Sequence, residues 1–381
     1  MRRILCKIYF TQVKTSYRNS KMCSCVASYH STTRDLSRVS SATNADPNLS
    51  KENIPFRFET GIALYAKKKP RPFPPPFDSP PRSFSDPTNT YDRSSDKCGY
   101  FKGEYMKGFT NGDDAVYADN YFIAVNDGVG AWSTRPGGHA GLWSRLVMHF
   151  WALEIENNLS EPDPIRSLQN AYEQSIKATA EPNNWQGTTT ATGALMYYKN
   201  TSQKSGAQTT PLLFIVNLGD SQILVTRPRE SRLVFKSTQQ WHWYDCPRQL
   251  GTNSPDTPCD KATLDVVEIE ENDIILAVSD GVTDNLWEHE IIKNVVDSVN
   301  NWKDSESIQN AAKKHNGDAE LMRFVADELM KAAKAIATDP FAESPFMEQA
   351  IKEGLAVQGG KLDDISVVAA ICKRSRTPCL K

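Results

Sequence analysis

Four short acidic stretches carry the residues of this chain best suited to chemistry. Asp127 follows the apolar run 121–125 and opens the turn Asp127-Gly128-Val129-Gly130. Asp280 follows the apolar run 274–278 in the same way, and Gly281 comes next. Asp113 and Asp114 lie just upstream of the first run, between Gly112 and Ala115. Asp363 and Asp364 open a last apolar run that begins at Ile365. A carboxylate at the rim of a core is costly unless a cation meets it. Asp-Gly after an apolar run is also an ordinary turn signal. Turn chemistry explains each stretch singly, whereas acid at four separated strand ends points to a shared cation. The candidate ligands are all carboxylates, with no His or Cys among them, which suits Mg2+ or Mn2+ rather than Zn2+. Shared carboxylates can hold two such ions about 3.5–4 Å apart, a spacing that suits phosphate ester hydrolysis.

The elements that must position these residues are legible from periodicity. Residues 56–66 alternate as a first strand. Leu142, Leu146, Val147, Phe150 and Leu153 recur at helical spacing, so 142–159 is an amphipathic helix in which His149 and Trp151 serve packing. A second helix over 165–178 is opened by Asp163-Pro164. Residues 188–198 are β-branched and aromatic, hence a strand. Runs 212–218 and 222–227 flank Gly219-Asp220-Ser221 and read as a hairpin, with Asp220 a structural turn residue. Trp241, His242, Trp243 and Tyr244 form an aromatic stretch that can stack on a ligand or pack as a loop. Helices are expected over 288–299 and 318–337, and a closing strand over 365–372. Strands grouped around pairs of helices argue for an α+β class with layered sheets.

The ordered motifs G-D-D-A (112–115), V-N-D-G-V-G-A-W (125–132), G-T-T-T-A (187–191), N-L-G-D-S (217–221), A-V-S-D-G-V-T-D-N (277–285) and G-G-K-L-D-D-I-S-V-V (359–368) resemble the metal-dependent serine/threonine protein phosphatases of type 2C, the PPM family. The resemblance runs from about Arg57 to Cys372. It includes details similar to the mitochondrial branch: Gly-Val-Gly after Asp127, Gln239-Gln240 before the aromatic stretch, and Asp339-Pro340 with Ser344-Pro345-Phe346 before the last strand. It implies a four-layer α-β-β-α sandwich of two antiparallel sheets, with the site at one edge. It implies two Mn2+ or Mg2+ ions held by Asp113, Asp127, the Gly128 carbonyl, Asp280 and Asp363. Asp127 would bridge the ions, Asp114 would act from the outer sphere, and Asp364 would point elsewhere. It implies hydrolysis of phosphoserine and phosphothreonine on proteins by an activated water. Two positions depart from the pattern. Phe109 stands where many relatives carry a phosphate-gripping Arg, and Val129 stands where many carry a His that acts as general acid. These departures keep open a second reading, a pseudophosphatase that binds partners without turnover.

Composition bounds the rest. The chain has 381 residues, is 39% hydrophobic and carries a net charge of −2, which implies no nucleic-acid affinity. No apolar run reaches the ~18 residues of a membrane span. The eight cysteines show no C-x-x-C pair and read as free thiols. Residues 1–34 contain Arg2, Arg3, Lys7, Lys14, Arg18, Lys21 and Arg34 and no acidic residue. At about 100° per residue, Arg3, Lys7, Lys14, Arg18 and Lys21 fall within about 60° of one another, which reads as a mitochondrial transit peptide. A disordered basic tail is the plainer alternative. The expected organisation is therefore a transit peptide over 1–34, a disordered linker over 35–54, a phosphatase domain over 55–373 with a Pro-rich insertion at 67–98, and a tail over 374–381. The expected partners are phosphorylated mitochondrial proteins in the matrix, met by a monomer with no transmembrane segment.

Overall fold

The computed structural model describes residues 54–68, 71, 73, 100–101, 104–203, 206–308 and 317–375. The transit peptide, most of the linker and the Pro-rich insertion, and the end of the tail lie outside the described residues. Eleven strands build two antiparallel sheets: β1 (Phe56–Tyr65), β2 (Phe109–Asn111), β3 (Asp114–Ala118), β4 (Phe122–Asn126), β5 (Ala191–Gln203), β6 (Gly206–Leu218), β7 (Gln222–Arg227), β8 (Arg232–Lys236), β9 (Thr263–Glu268), β10 (Ile274–Val278) and β11 (Ile365–Arg374). The first sheet runs β1-β11-β10-β7-β8 and the second β9-β6-β5-β4-β3-β2. Helices α1 (Ala140–Asn157) and α2 (Pro164–Thr179) cover the second sheet; α3 (Glu288–Ile308) and α4 (Gly317–Thr338) cover the first.

Strand alternation sorts side chains into three apolar layers. Along β4, Ile123 and Val125 enter the layer between the sheets, while Phe122 and Ala124 face α1. Along β10, Ile275 and Ala277 face inward, while Ile274, Leu276 and Val278 meet the helices. Along β11, Val368, Ala370 and Cys372 face inward and Val367, Ala369 and Ile371 outward. The result is the expected α-β-β-α sandwich. Leu142, Leu146, Val147 and Phe150 are all buried on α1, as is Trp151. His149 is a packing residue: its Nδ1 accepts from the Lys107 N–H at 3.0 Å. Burial, with Arg145 and Lys107 nearby, pushes its imidazole down to about 4, so it is neutral in the folded protein.

Two expectations fail. Strands β6 and β7 are not a hairpin. β6 pairs with β5 and β9 in the second sheet, whereas β7 pairs with β10 and β8 in the first. Gly219, at φ 113°, turns the chain across the gap between the sheets. Hairpin and crossing need the same Gly-Asp turn, and the two differ only in where the partners lie. The cysteines are not all free either. Cys246 and Cys372 are free and buried, but Cys259 is disulfide-bonded. Among the described residues no helix is long and apolar enough to cross a membrane.

Candidate metal centre

The acidic stretches meet at one end of the sandwich, where strands of both sheets stop. β4 delivers Asp127, β10 delivers Asp280, and Asp363 and Asp364 precede β11. The G-T-T-T-A stretch holds the turn after β4. The Asp127 N–H donates to Thr190 Oγ1 at 2.9 Å, and the Asp127 carbonyl accepts from the Thr190 N–H at 2.8 Å and from Thr189 Oγ1 at 3.0 Å. The Val129 N–H donates to the Thr188 carbonyl at 3.0 Å, and Trp132 Nε1 to Thr188 Oγ1 at 2.7 Å. β10 and β11 are locked together beside the site. The Ser279 N–H donates to the Ser366 carbonyl at 3.1 Å, and the Ser366 N–H to Ser279 Oγ at 3.0 Å.

The sheets are stapled to each other at the same place. Asn111 Nδ2 donates to the carbonyls of Tyr65 and Ile365 and to Ser366 Oγ, at 3.2, 3.0 and 2.9 Å. Asp364 does point away from the centre, into backbone. Its Oδ1 accepts from the Lys67 N–H at 2.7 Å and its Oδ2 from the Asp113 N–H at 2.9 Å. Asp114 is fully buried and accepts from Ser366 Oγ at 2.7 Å.

The electrostatics are those of crowded anions. Burial and the Asp280 charge push Asp127 well above the carboxylate range. Burial and the Asp364 charge do the same to Asp114. Burial also pushes Asp280 up, but Lys361 and the bond from Asp127 outweigh it and bring Asp280 to about 2. The two carboxyls are thus driven apart, Asp127 toward its neutral form and Asp280 toward its charged form. Oδ1 of Asp280 is buried and has no hydrogen-bond partner among the described residues. Asp363 is raised by burial and by Asp280, against the pull of Lys67 and Lys361.

Of the five residues expected to hold metal, the structure brings the carboxylates of Asp127, Asp280 and Asp363 into one electrostatic cluster. Gly128 lies on the Asp127 turn, with its backbone against Asp113: a Cβ there would stand 2.0 Å from the Asp113 carbonyl oxygen. The Asp113 carboxylate lies beside Gly130 and Gly141, 3.8 and 3.6 Å from where their Cβ atoms would be. Among the described residues no three His, Cys, Asp or Glu side chains close on one point as a filled metal site would have them. Two ammonium groups stand among the carboxylates instead. The donor chemistry nonetheless fits hard cations: oxygen ligands only, buried, and still short of donors at Asp280 and Asp220.

Three members of the cluster were not foreseen. Asp220 is more than a turn residue. It is buried, takes Trp241 Nε1 on Oδ2 at 3.1 Å, leaves Oδ1 without a partner, and is raised by burial and by Asp280. Lys361 donates to Asp280 and Asp284, both at 2.7 Å, and to Asp245 at 3.1 Å. Lys67 donates to Asp363. Lys361 lies within the 359–368 motif and Lys67 in the run Lys67-Lys68-Lys69-Pro70, and nothing local in either stretch signals a buried carboxylate partner. The aromatic stretch packs beside the cluster: Tyr244 stacks on Phe346 with ring centroids 5.9 Å apart. His242 is bonded to the buried Asp256 at 2.7 Å. Phe109 is 38% exposed and carries no charge to the site.

Comparison with known proteins gives consistent relatives, although no family model matches the chain. The chain is 32% identical over 266 residues to a probable protein phosphatase 2C of Arabidopsis thaliana, number 80, covering 68% of this chain and 54% of that protein. The match thus spans about half of the Arabidopsis relative's length. It is 29% identical over 290 residues to the human protein phosphatase PTC7 homolog, covering 72% of this chain and 85% of the relative. Among solved structures, the photosystem II phosphatase PBCP superposes with a TM-score of 0.54 at 22% identity, over 84% of this chain and 99% of that one. That likeness concerns the fold.

Proposed function

We propose that this chain, similar to protein phosphatases 2C and to the PTC7 homolog, is a metal-dependent phosphatase acting on phosphoserine and phosphothreonine of proteins. One observation carries this reading: Asp127, Asp280 and Asp363 arrive from the ends of three strands in two sheets and share one buried electrostatic cluster. Asp127, Asp280, Asp363, Asp113 and the Gly128 carbonyl would hold two divalent cations, Mn2+ or Mg2+. Bound there, such cations supply positive charge for the phosphate and lower the pKa of an attacking water.

The chain's own residues do the positioning. The threonines at 188–190 fix the Asp127 turn. Asp364 ties the end of β1 to the Asp113 turn, and Asp114 is held from below by Ser366. Asp127 and Asp280 would both have to be carboxylates to hold cations, and the positive charge of the ions would favour that form. Val129 donates its backbone N–H and has no side-chain proton to give a leaving group. The purified full chain is expected to hydrolyse nitrophenyl phosphate and a phosphothreonine peptide with Mn2+ or Mg2+. EDTA should abolish both activities and added metal should restore them. Full activity in EDTA would overturn the metal assignment, and no activity with any divalent ion would favour the pseudophosphatase reading.

The destination we assign is the mitochondrion, probed by the basic, acid-free segment 1–34. A reporter carrying residues 1–50 is expected to enter mitochondria, and Glu at positions 3, 7, 14 and 18 to leave it in the cytosol. Cytosolic residence of the unmodified fusion would overturn the assignment. Its substrates there would be mitochondrial phosphoproteins.

A further inference from the structure

The chain leaves β1 at Tyr65 and passes directly over the acidic cluster. Lys67 is pinned there through its backbone, whose N–H donates to Asp364 at 2.7 Å. Its side chain then turns into the cluster and its ammonium donates to Asp363. A Cβ built on Gly130 would stand 3.5 Å from that nitrogen. The ammonium therefore lies against the turn that carries Asp127, where carboxylates of both sheets meet. Burial pulls Lys67 toward neutrality, but Asp363, Asp364 and Asp127 outweigh it and keep the ammonium charged.

The two lysines of the cluster spend their donors differently. An ammonium has three N–H groups. Lys361 has a carboxylate partner for each of them, in Asp245, Asp280 and Asp284. Lys67 gives one N–H to Asp363, and no second acceptor is bonded to its ammonium among the described residues. The neighbouring arginines are committed elsewhere: Arg71 donates to the Gly138 carbonyl at 3.0 Å, and Arg135 lies on the Trp132 ring at 4.9 Å. A phosphate monoester carries about −1.5 to −2 at neutral pH. It must enter a cluster of carboxylates, and Phe109 offers it no charge.

We propose that Lys67 grips the substrate's phosphate, with the N–H groups that Asp363 leaves unused. The assignment rests on the phosphatase reading of this site. Lys67 then carries the role of a phosphate-binding cation from the end of the first strand, and Asp363 orients it. It is a substrate-binding residue with no proton-transfer role.

The test uses the full chain, wild type and with Lys67→Met, Lys67→Gln or Lys67→Arg, after melting scans of each. Two variants that remove the charge are included so that a folding defect in one does not decide the result. Calorimetry measures Mn2+ binding first and inorganic phosphate binding to the Mn2+-loaded protein second. Removing the ammonium should weaken phosphate binding roughly tenfold to a hundredfold, the scale of a hydrogen bond to a charged group. Mn2+ affinity should hold or tighten, because Asp363 is released from its ammonium. Lys67→Arg should retain most of the phosphate affinity. KM for a phosphothreonine peptide should rise with the phosphate dissociation constant while kcat changes less. Unchanged phosphate affinity without the charge would overturn the proposal, as would a loss of Mn2+ affinity equal to the loss of phosphate affinity. Failure of the Mn2+-loaded wild type to bind phosphate overturns it as well. A wild type that binds phosphate through Lys67 but turns over no phosphoester defeats the phosphatase reading alone.

Discussion

Asp127→Asn is expected to give a folded protein with no measurable turnover. Asparagine matches the shape of aspartate, and the contacts that fix the turn are made by the Asp127 backbone to Thr189 and Thr190 and by the Val129 N–H to Thr188. The fold therefore keeps its supports. What is lost is the carboxylate that stands against Asp280 and within the field of Asp363 and Asp114. Loss of an outer-shell partner of a metal typically costs about 10–100-fold in affinity or activity, and a shared ligand must cost more than that. In the metal-free protein the same change should raise the melting temperature, because it removes one of several buried, mutually repelling carboxyls. The measurements are kcat/KM with Mn2+, Mn2+ affinity by calorimetry, and melting curves in EDTA. A variant that keeps more than a tenth of wild-type turnover would show that Asp127 is not the shared ligand.

Gly128→Ala and Gly281→Ala are expected to be among the most damaging single-methyl changes in the chain. The two Asp-Gly turns end neighbouring layers and do the same steric work. A Cβ on Gly128 would lie 2.0 Å from the Asp113 carbonyl oxygen; one on Gly281 would lie 2.1 Å from the Asp364 carbonyl oxygen. Both obstacles are backbone, so no rotamer change relieves them. In each case one acidic stretch must back away from another. Overpacking costs about 1–3 kcal/mol and occasionally more, and these contacts sit at the severe end. The expected loss is roughly 5–10 °C in melting temperature, together with most of the Mn2+ affinity. Gly130→Ala is the control, since the nearest atom to its Cβ is the end of the Lys67 side chain at 3.5 Å. Gly281→Ala melting with the wild type would refute the close approach.

The same turns show how much of the molecule was legible beforehand. Asp-Gly after an apolar run identified β4 and β10, and the apolar run opened by Asp363-Asp364 identified β11, because burial on both faces demands such runs. Asp127, Asp280 and Asp363 followed from chemistry that residue type alone can signal. Pairing across long separations was not legible. The Lys67–Asp363 ion pair joins residues 296 apart, and the Asn111 staple to Ser366 joins residues 255 apart. A lysine in a basic run has no local signature of such a partner. The 219–221 turn reads as a hairpin for the same reason: its local signal is real, but the strands it separates belong to different sheets. Asp220 was undervalued along with it, since its neighbours Asp280 and Trp241 come from elsewhere in the chain.

The pairing of the first strand with the last bears on how the protein comes into being. Among the described residues β1 pairs along its ten residues with β11, from Phe56 against Arg374 to Tyr65 against Ile365. A ribosome delivers the chain from its N-terminus, so β1 emerges some three hundred residues ahead of the strand that covers its edge. During that interval its unpaired backbone is an open template for other chains. Contacts of this separation also make folding slow, because a long loop must close before the pairing is rewarded. Lys67, Asp363 and Asp364 meet only in that final step. A chain lacking β11 therefore has no assembled centre.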